Sequence, residues 1–136
     1  MRPQYSPWGE IQHCEELCPG VYQVSTASHG GVMAKLRVAS KLFSRAARAY
    51  SFVEGGYLCF EEDCEAPVAI RELMDKGLCK ALVNEYYGPG EYEAAIDRSI
   101  QLYQPEYWAY RNTRLKKEPL EHLSLFSKKR ESGLER

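Results

Sequence analysis

Val21-Tyr22-Gln23-Val24-Ser25-Thr26-Ala27-Ser28-His29-Gly30-Gly31-Val32-Met33-Ala34 is the stretch that decides the fold class of this chain. Val21, Gln23 and Ser25 alternate with Tyr22, Val24 and Thr26 in a β-branched, aromatic-rich run, the two-residue period of a strand. Gly30-Gly31 supplies positions free to adopt positive φ, so Val32-Met33-Ala34 is expected to return as the second arm of a hairpin with His29 at its turn. Downstream, Gly55-Gly56 closes a loop and Tyr57 to Glu62 reads as another strand. Leu58, Phe60 and Glu62 fall on one of its faces and Tyr57, Cys59 and Glu61 on the other. Each run ends in a dense polar cluster, so the two clusters can meet in one site.

Between these strands the period changes. Leu36, Ala39, Leu42, Phe43, Ala46, Ala47 and Tyr50 recur three and four apart, which predicts one amphipathic helix over 35–50 with Arg37, Lys41, Arg45 and Arg48 on its other side. Asp63 is the expected N-cap of a further helix ending at Gly77, with Pro67 in its first turn. A short helix is expected over 78–86, then the breaker Gly88-Pro89-Gly90. A strong helix follows in which Tyr92, Ala95, Ile96, Ile100 and Tyr103 share a face, stopped by Pro105. Upstream, Pro7-Trp8-Gly9 is a turn carrying a core aromatic, and a short alternation through Ile11 predicts an edge strand. The fold class is therefore α+β: a small antiparallel sheet packed against several helices in a single domain over 1–110. Residues 111–136 follow as a basic, partly mobile tail.

The whole chain has 136 residues, 44% hydrophobic and 27% charged, ordinary for one globular domain. No run approaches a membrane span and the first residues lack the apolar core of a signal peptide, which predicts a cytoplasmic protein with no membrane partner. Five cysteines without an export signal point to reduced thiols, a metal site or a redox centre rather than a disulfide framework. The net charge of −1 conceals segregation: residues 35–50 hold five bases and no acid, and residues 51–110 hold four bases and twelve acids. The basic segment either docks on the acidic one or presents its charge to a partner.

Three motifs stand in order along the chain: Pro7-Trp8-Gly9, Ser25-Thr26-Ala27-Ser28-His29-Gly30-Gly31 and Glu61-Glu62-Asp63-Cys64. Over about residues 6 to 75 this trio resembles a small uncharacterised family encoded mainly by bacteria, phages and plasmids. The resemblance implies a genomic setting and a set of positions to inspect, and carries no established activity.

Four chemistries fit the residue types. Ser28-His29-Gly30-Gly31 can form a nest of backbone N–H groups that holds an anion, with His29 as acid or base; the bland alternative is a turn histidine that caps local backbone. His29 with Glu61, Glu62 or Asp63 can hold a divalent metal, although Glu61 and Glu62 point to opposite faces of a regular strand. Cys14, Cys18, Cys59 and Cys64, with His13 in reserve, have gaps tolerated in zinc sites, against the alternative of buried free thiols. Arg37, Lys41, Arg45 and Arg48 can track phosphates, although a pI near 6.3 argues against a dedicated nucleic-acid binder. The aromatic cluster around Trp108 reads as a core lid or an interface. No complete catalytic set is present, and no cofactor follows from these motifs. The expected function is that of a mobile-element accessory protein binding a host protein or nucleoprotein, with counter-defence as its role. The alternative is a hydrolase or nucleotide-modifying enzyme, with or without a metal, using His29 with Glu61 or Asp63.

Overall fold

β2 (Val21–Ser25) and β3 (Gly30–Lys35) form the hairpin that the alternation predicts, with Val21 opposite Ala34 and Ser25 opposite Gly30. The computed structural model describes residues 2–117, so the expected tail lies outside the described residues from 118 onward. The chain divides into two compact units, Met1–Pro105 and Glu106–Arg136.

The first unit is α+β. β1 (His13–Cys18), β2, β3, β4 (Phe52–Glu54) and β5 (Tyr57–Glu61) make one antiparallel sheet in the order β1-β2-β3-β5-β4. The edge strand is β1, not the alternation through Ile11, which instead leads out of an isolated bridge between Ser6 and Gly9. β4 and β5 are joined by Gly55-Gly56 at φ 59° and 85°, the pair of left-handed conformations that a two-residue hairpin turn demands.

Both faces of the sheet are covered. On one, Phe43 packs on Phe60 with ring centroids 5.1 Å apart. Here α1 (Leu36–Leu42) and α3 (Ala66–Asp75) lie on β3 and β5, and α2 (Arg45–Arg48) and α4 (Glu91–Tyr103) pack on α3. On the other, Tyr22, Val24, Met33 and Cys59 form a buried cluster under Trp8 and Ile11. The N-terminal segment thus replaces a second helical layer, and consecutive residues Leu58, Cys59 and Phe60 are all buried.

Gly30 and Gly31 lie inside β3 and neither has positive φ, contrary to the turn role expected of them. Their lack of a Cβ answers to packing. A Cβ on Gly31 would run into the Phe60 carbonyl and come within 2.6 Å of the Trp8 ring, and one on Gly30 would strike the Val24 carbonyl.

The single helix expected over 35–50 is two. Phe43 is extended, which swings its ring onto Phe60, and Ser44 restarts the helix as N-cap, its Oγ accepting from Ala47 N at 3.0 Å. α3 begins later than expected: Asp63 sits in a turn and Glu65 takes the N-cap position without a side-chain cap bond. The short helix over 78–86 does not form. Asn84 Oδ1 accepts from Tyr86 N at 2.8 Å and Tyr87 N at 2.9 Å, a side-chain turn that competes with helical bonding. α4 matches its period, and Pro105 both follows it and opens α5 (Pro105–Lys117).

Candidate functional site

The three motifs converge at one end of the sheet. Thr26 Oγ1 donates to His29 O at 2.7 Å, accepts from His29 N at 3.1 Å, and lies 3.3 Å from Trp8 O. Glu62 N donates to Gly30 O at 2.9 Å, and Gly31 stands opposite Glu61. Trp8 covers Gly31 from above, its backbone N–H donating to Ser6 Oγ at 3.2 Å and its ring edge-on to Phe52. One joint accounts for these residue types: a threonine to tie the loop, a glycine to admit the indole, and a strand end to close the ladder.

Within that joint, Ser28 and His29 are exposed on the loop, while Gly30 and Gly31 are buried in β3. Glu61 Oε1 accepts from Asp63 N at 3.1 Å, and Glu65 Oε1 accepts from Glu61 N at 3.0 Å. The loop of His29 and the turn of Glu61 to Asp63 are therefore neighbours, with Glu61 engaged in holding the turn. The hydrogen bonds assigned to His29 are those of its backbone to Thr26.

Among the described residues no group of three or more His, Cys, Asp and Glu side chains is arranged to hold a metal ion. The topology explains why the cysteines do not gather. Cys14 and Cys18 lie on β1 and Cys59 on β5, with β2 and β3 between them, a separation of about 14 Å at ordinary strand spacing. All five thiols are free. Burial pushes Cys59 up to about 12 and, with the nearby Cys79 and Glu16, pushes Cys18 up to about 11. Both are protonated thiols at neutral pH, as expected of buried apolar surroundings.

The bases of 35–50 divide. Arg37 and Lys41 sit one turn apart on the exposed side of α1, and Arg45 is exposed at the start of α2. Arg48 is drawn inward, its Nε donating to Phe43 O at 3.1 Å. Lys76 adds a cation beside them, its Nζ donating to Leu42 O at 2.5 Å at the carbonyl end of α1. Among the described residues Arg37, Lys41 and Arg45 have no ion-pair partner.

Five of the twelve acids over 51–110 are engaged elsewhere. Arg71, 4% exposed, pairs with Asp97 at 2.7 Å, Glu93 at 2.5 Å and Asp75 at 3.1 Å, locking α3 to α4. Burial alone lowers the guanidinium pKa, but the bonds to Asp97 and Glu93 outweigh it and the net direction is upward. Glu72, 1% exposed, accepts from Ser44 N at 2.8 Å and Ser44 Oγ at 2.6 Å. Glu91 Oε1 accepts from Gly88 N at 2.7 Å.

Reading the sequence for function missed Arg71, Glu72 and Ser44. The signal was present: Arg71 and Asp75 are four apart, Glu93 and Asp97 are four apart, and Arg71-Glu72 interrupts the apolar run between Ile70 and Leu73. In the second unit, the Arg111 guanidinium lies 5.1 Å from the Trp108 ring centroid and that of Arg114 lies 5.7 Å from Tyr110, so Trp108 belongs to a cationic, aromatic helix face. No described helix is long and apolar enough to cross a membrane.

The family model of a domain of unknown function, DUF7007, matches residues 1–130. No curated protein and no solved structure matches the chain.

Proposed function

The chain belongs to the DUF7007 family, and we propose that it is a docking module: a mobile-element accessory protein that binds a host protein or nucleoprotein, with counter-defence as its role. The observation that carries the docking reading is the cationic face of α1 and α2. Arg37, Lys41 and Arg45 are exposed and lack ion-pair partners among the described residues, while Asp75, Glu93 and Asp97 serve Arg71 inside the fold. A protein that segregates five bases into sixteen residues and leaves three of them unneutralised presents a potential that attracts an acidic surface and speeds encounter with it. The setting in a mobile element rests on the resemblance of the motif trio.

The test is affinity capture from a bacterial lysate by the wild-type protein beside a variant carrying Arg37→Glu, Lys41→Glu and Arg45→Glu. The wild type retains a macromolecule at low salt and the variant does not. Retention of the same set by both proteins sinks the reading. Nuclease treatment of the lysate before capture separates a nucleoprotein from an acidic protein. Surface substitutions away from caps and buried networks change stability by within about 0.5 kcal/mol, so the variant remains folded and the comparison is fair.

A further inference from the structure

The two edges of the sheet are finished differently. β1 carries Glu15 and Glu16, its pairing with β2 slips between Glu16 and Cys18, and its Cys14 carbonyl is taken by the Arg2 guanidinium. Charges, a bulge and a covering donor are the usual guards of a strand edge. β4 pairs with β5 without a bulge, and its Phe52 and Val53 are 38% and 61% exposed. Among the described residues no other segment makes a hydrogen bond to Val53.

The Gly55-Gly56 turn sets which backbone groups of β4 are open. In a two-residue hairpin the flanking pair, here Glu54 and Tyr57, exchanges both hydrogen bonds, and the pattern alternates from there. Phe52 and Cys59 therefore bond one another, while Val53, opposite Leu58, turns its N–H and C=O away from β5. The Val53 side chain shares a face with Leu58 and Phe60, the face covered by Phe43 and α1.

The cationic helices are tied to this hairpin at both ends. Leu36 N donates to Gly56 O at 3.2 Å, so α1 starts beside the hairpin tip. Arg48 O accepts from Ser51 N at 3.1 Å and from Ser51 Oγ at 2.6 Å, so the end of α2 is held against the start of β4. Between those ties run Arg37, Lys41 and Arg45, all exposed.

We propose that β4 accepts an extended acidic segment of a protein partner as an added strand. Val53 N–H and C=O bond its backbone, and its alternate carboxylates face the cations of α1 and α2. The proposal rests on the docking reading of the cationic face and names the partner of that face. An added strand lies about 10 Å from β5, two strand spacings, on which α1 packs. Charge selects the occupant. A second copy of this chain paired through β4 in one continuous sheet would set the cations of one copy beside those of the other, and a nucleic acid would meet the cations but supply no peptide ladder. Val53 contributes only one donor and one acceptor, so charge carries much of the affinity and binding weakens as salt rises.

The experiment uses the full chain and the probe acetyl-Glu-Val-Glu-Val-Glu-Val-amide, read by fluorescence anisotropy of a labelled peptide and by hydrogen exchange of the Val53 amide. The peptide binds at low salt and slows Val53 exchange by about tenfold or more at saturation. Its lysine-for-glutamate counterpart and an oligodeoxythymidylate leave that exchange unchanged. Val53→Pro raises the Kd by about tenfold or more, and proline is tolerated on an edge strand whose N–H faces solvent. The exchange measurement needs no variant, so it decides the matter even where Val53→Pro fails to fold. Absence of peptide binding, binding with unchanged Val53 exchange, binding that survives Val53→Pro, protection of Val53 by the oligonucleotide, or a dimer that Val53→Pro abolishes overturns the assignment. Lysate capture that is lost on Arg37→Glu, Lys41→Glu and Arg45→Glu but kept by Val53→Pro overturns the added strand alone and leaves the docking reading standing.

Discussion

Gly31→Ala places one methyl group where the structure leaves no room for it. The added Cβ meets the Phe60 carbonyl on one side and the Trp8 ring on the other, 2.6 Å from Cη2 and 2.8 Å from Cζ2. Neither neighbour gives way freely. Phe60 is paired to Val32 within the sheet, and Trp8 is held by Ser6, Thr26 and Phe52. Overpacking of a close-packed site costs roughly 1–3 kcal/mol, and two fixed neighbours place this one near the upper end; the smaller entropy of the unfolded alanine chain returns about 0.4–1 kcal/mol. The net loss is roughly 2 kcal/mol, a fall in melting temperature of about 8–16 °C for a unit of this size. Gly55→Ala provides the comparison, since nothing lies within 4 Å of its Cβ and only the left-handed φ of 59° is strained. That strain costs about 1–2 kcal/mol. Urea and thermal unfolding of both variants, with Trp8→Phe alone and combined with Gly31→Ala, complete the assay. Because phenylalanine removes the far indole ring, the double variant is more stable than the sum of its singles by about 0.5 kcal/mol or more. Additive losses, or Gly31→Ala stability equal to wild type, would refute the view that the glycine exists to admit the indole.

Other expectations follow from the buried polar groups. Arg71→Met leaves Asp75, Glu93 and Asp97 facing one another without their cation. The loss is about 3 kcal/mol in urea unfolding, at the low end for a broken buried pair because the Glu93 side chain is 46% exposed; a change below about 0.5 kcal/mol would show the network to be solvated. Ser44→Ala removes the cap of α2 and one donor to Glu72, worth about 2 kcal/mol together, and stability equal to wild type would mean that Glu72 is held by its other contacts. The third concerns pH: burial raises the Cys59 thiol to about 12 and the Cys18 thiol to about 11 from the ordinary 9.0. The folded state therefore keeps protons that the unfolded chain releases, so these groups leave stability flat below pH ~9 and lower it as pH rises through the folded values. Cys59→Ala reduces that alkaline slope in urea melts at about pH 8 and about pH 10; an unchanged slope contradicts the assignment.

Local pattern carried much of the architecture. The alternation from Val21 to Thr26 and the apolar spacing from Tyr92 to Tyr103 were legible because each element's period reflects one buried face, and both elements stand as expected. The helix over 35–50 was misjudged for a long-range reason: Phe43 leaves the helix to reach Phe60, and Ser44 turns to serve a glutamate twenty-eight residues away. The same limit applied to Gly30-Gly31, whose partners Val24, Phe60 and Trp8 come from three other segments.

For the candidate sites, the sequence by itself determined the inventory: a basic run, an acidic stretch, three polar motifs and scattered thiols. Tertiary structure decided their relations. It left Arg37, Lys41 and Arg45 outside while placing three acids on Arg71, drew the three motifs into one joint, and held Cys14 and Cys59 two strands apart. Periodicity reports which face of an element is buried; which charges and side chains then meet depends on strand order, register and bulges, and those are set only when the whole chain packs.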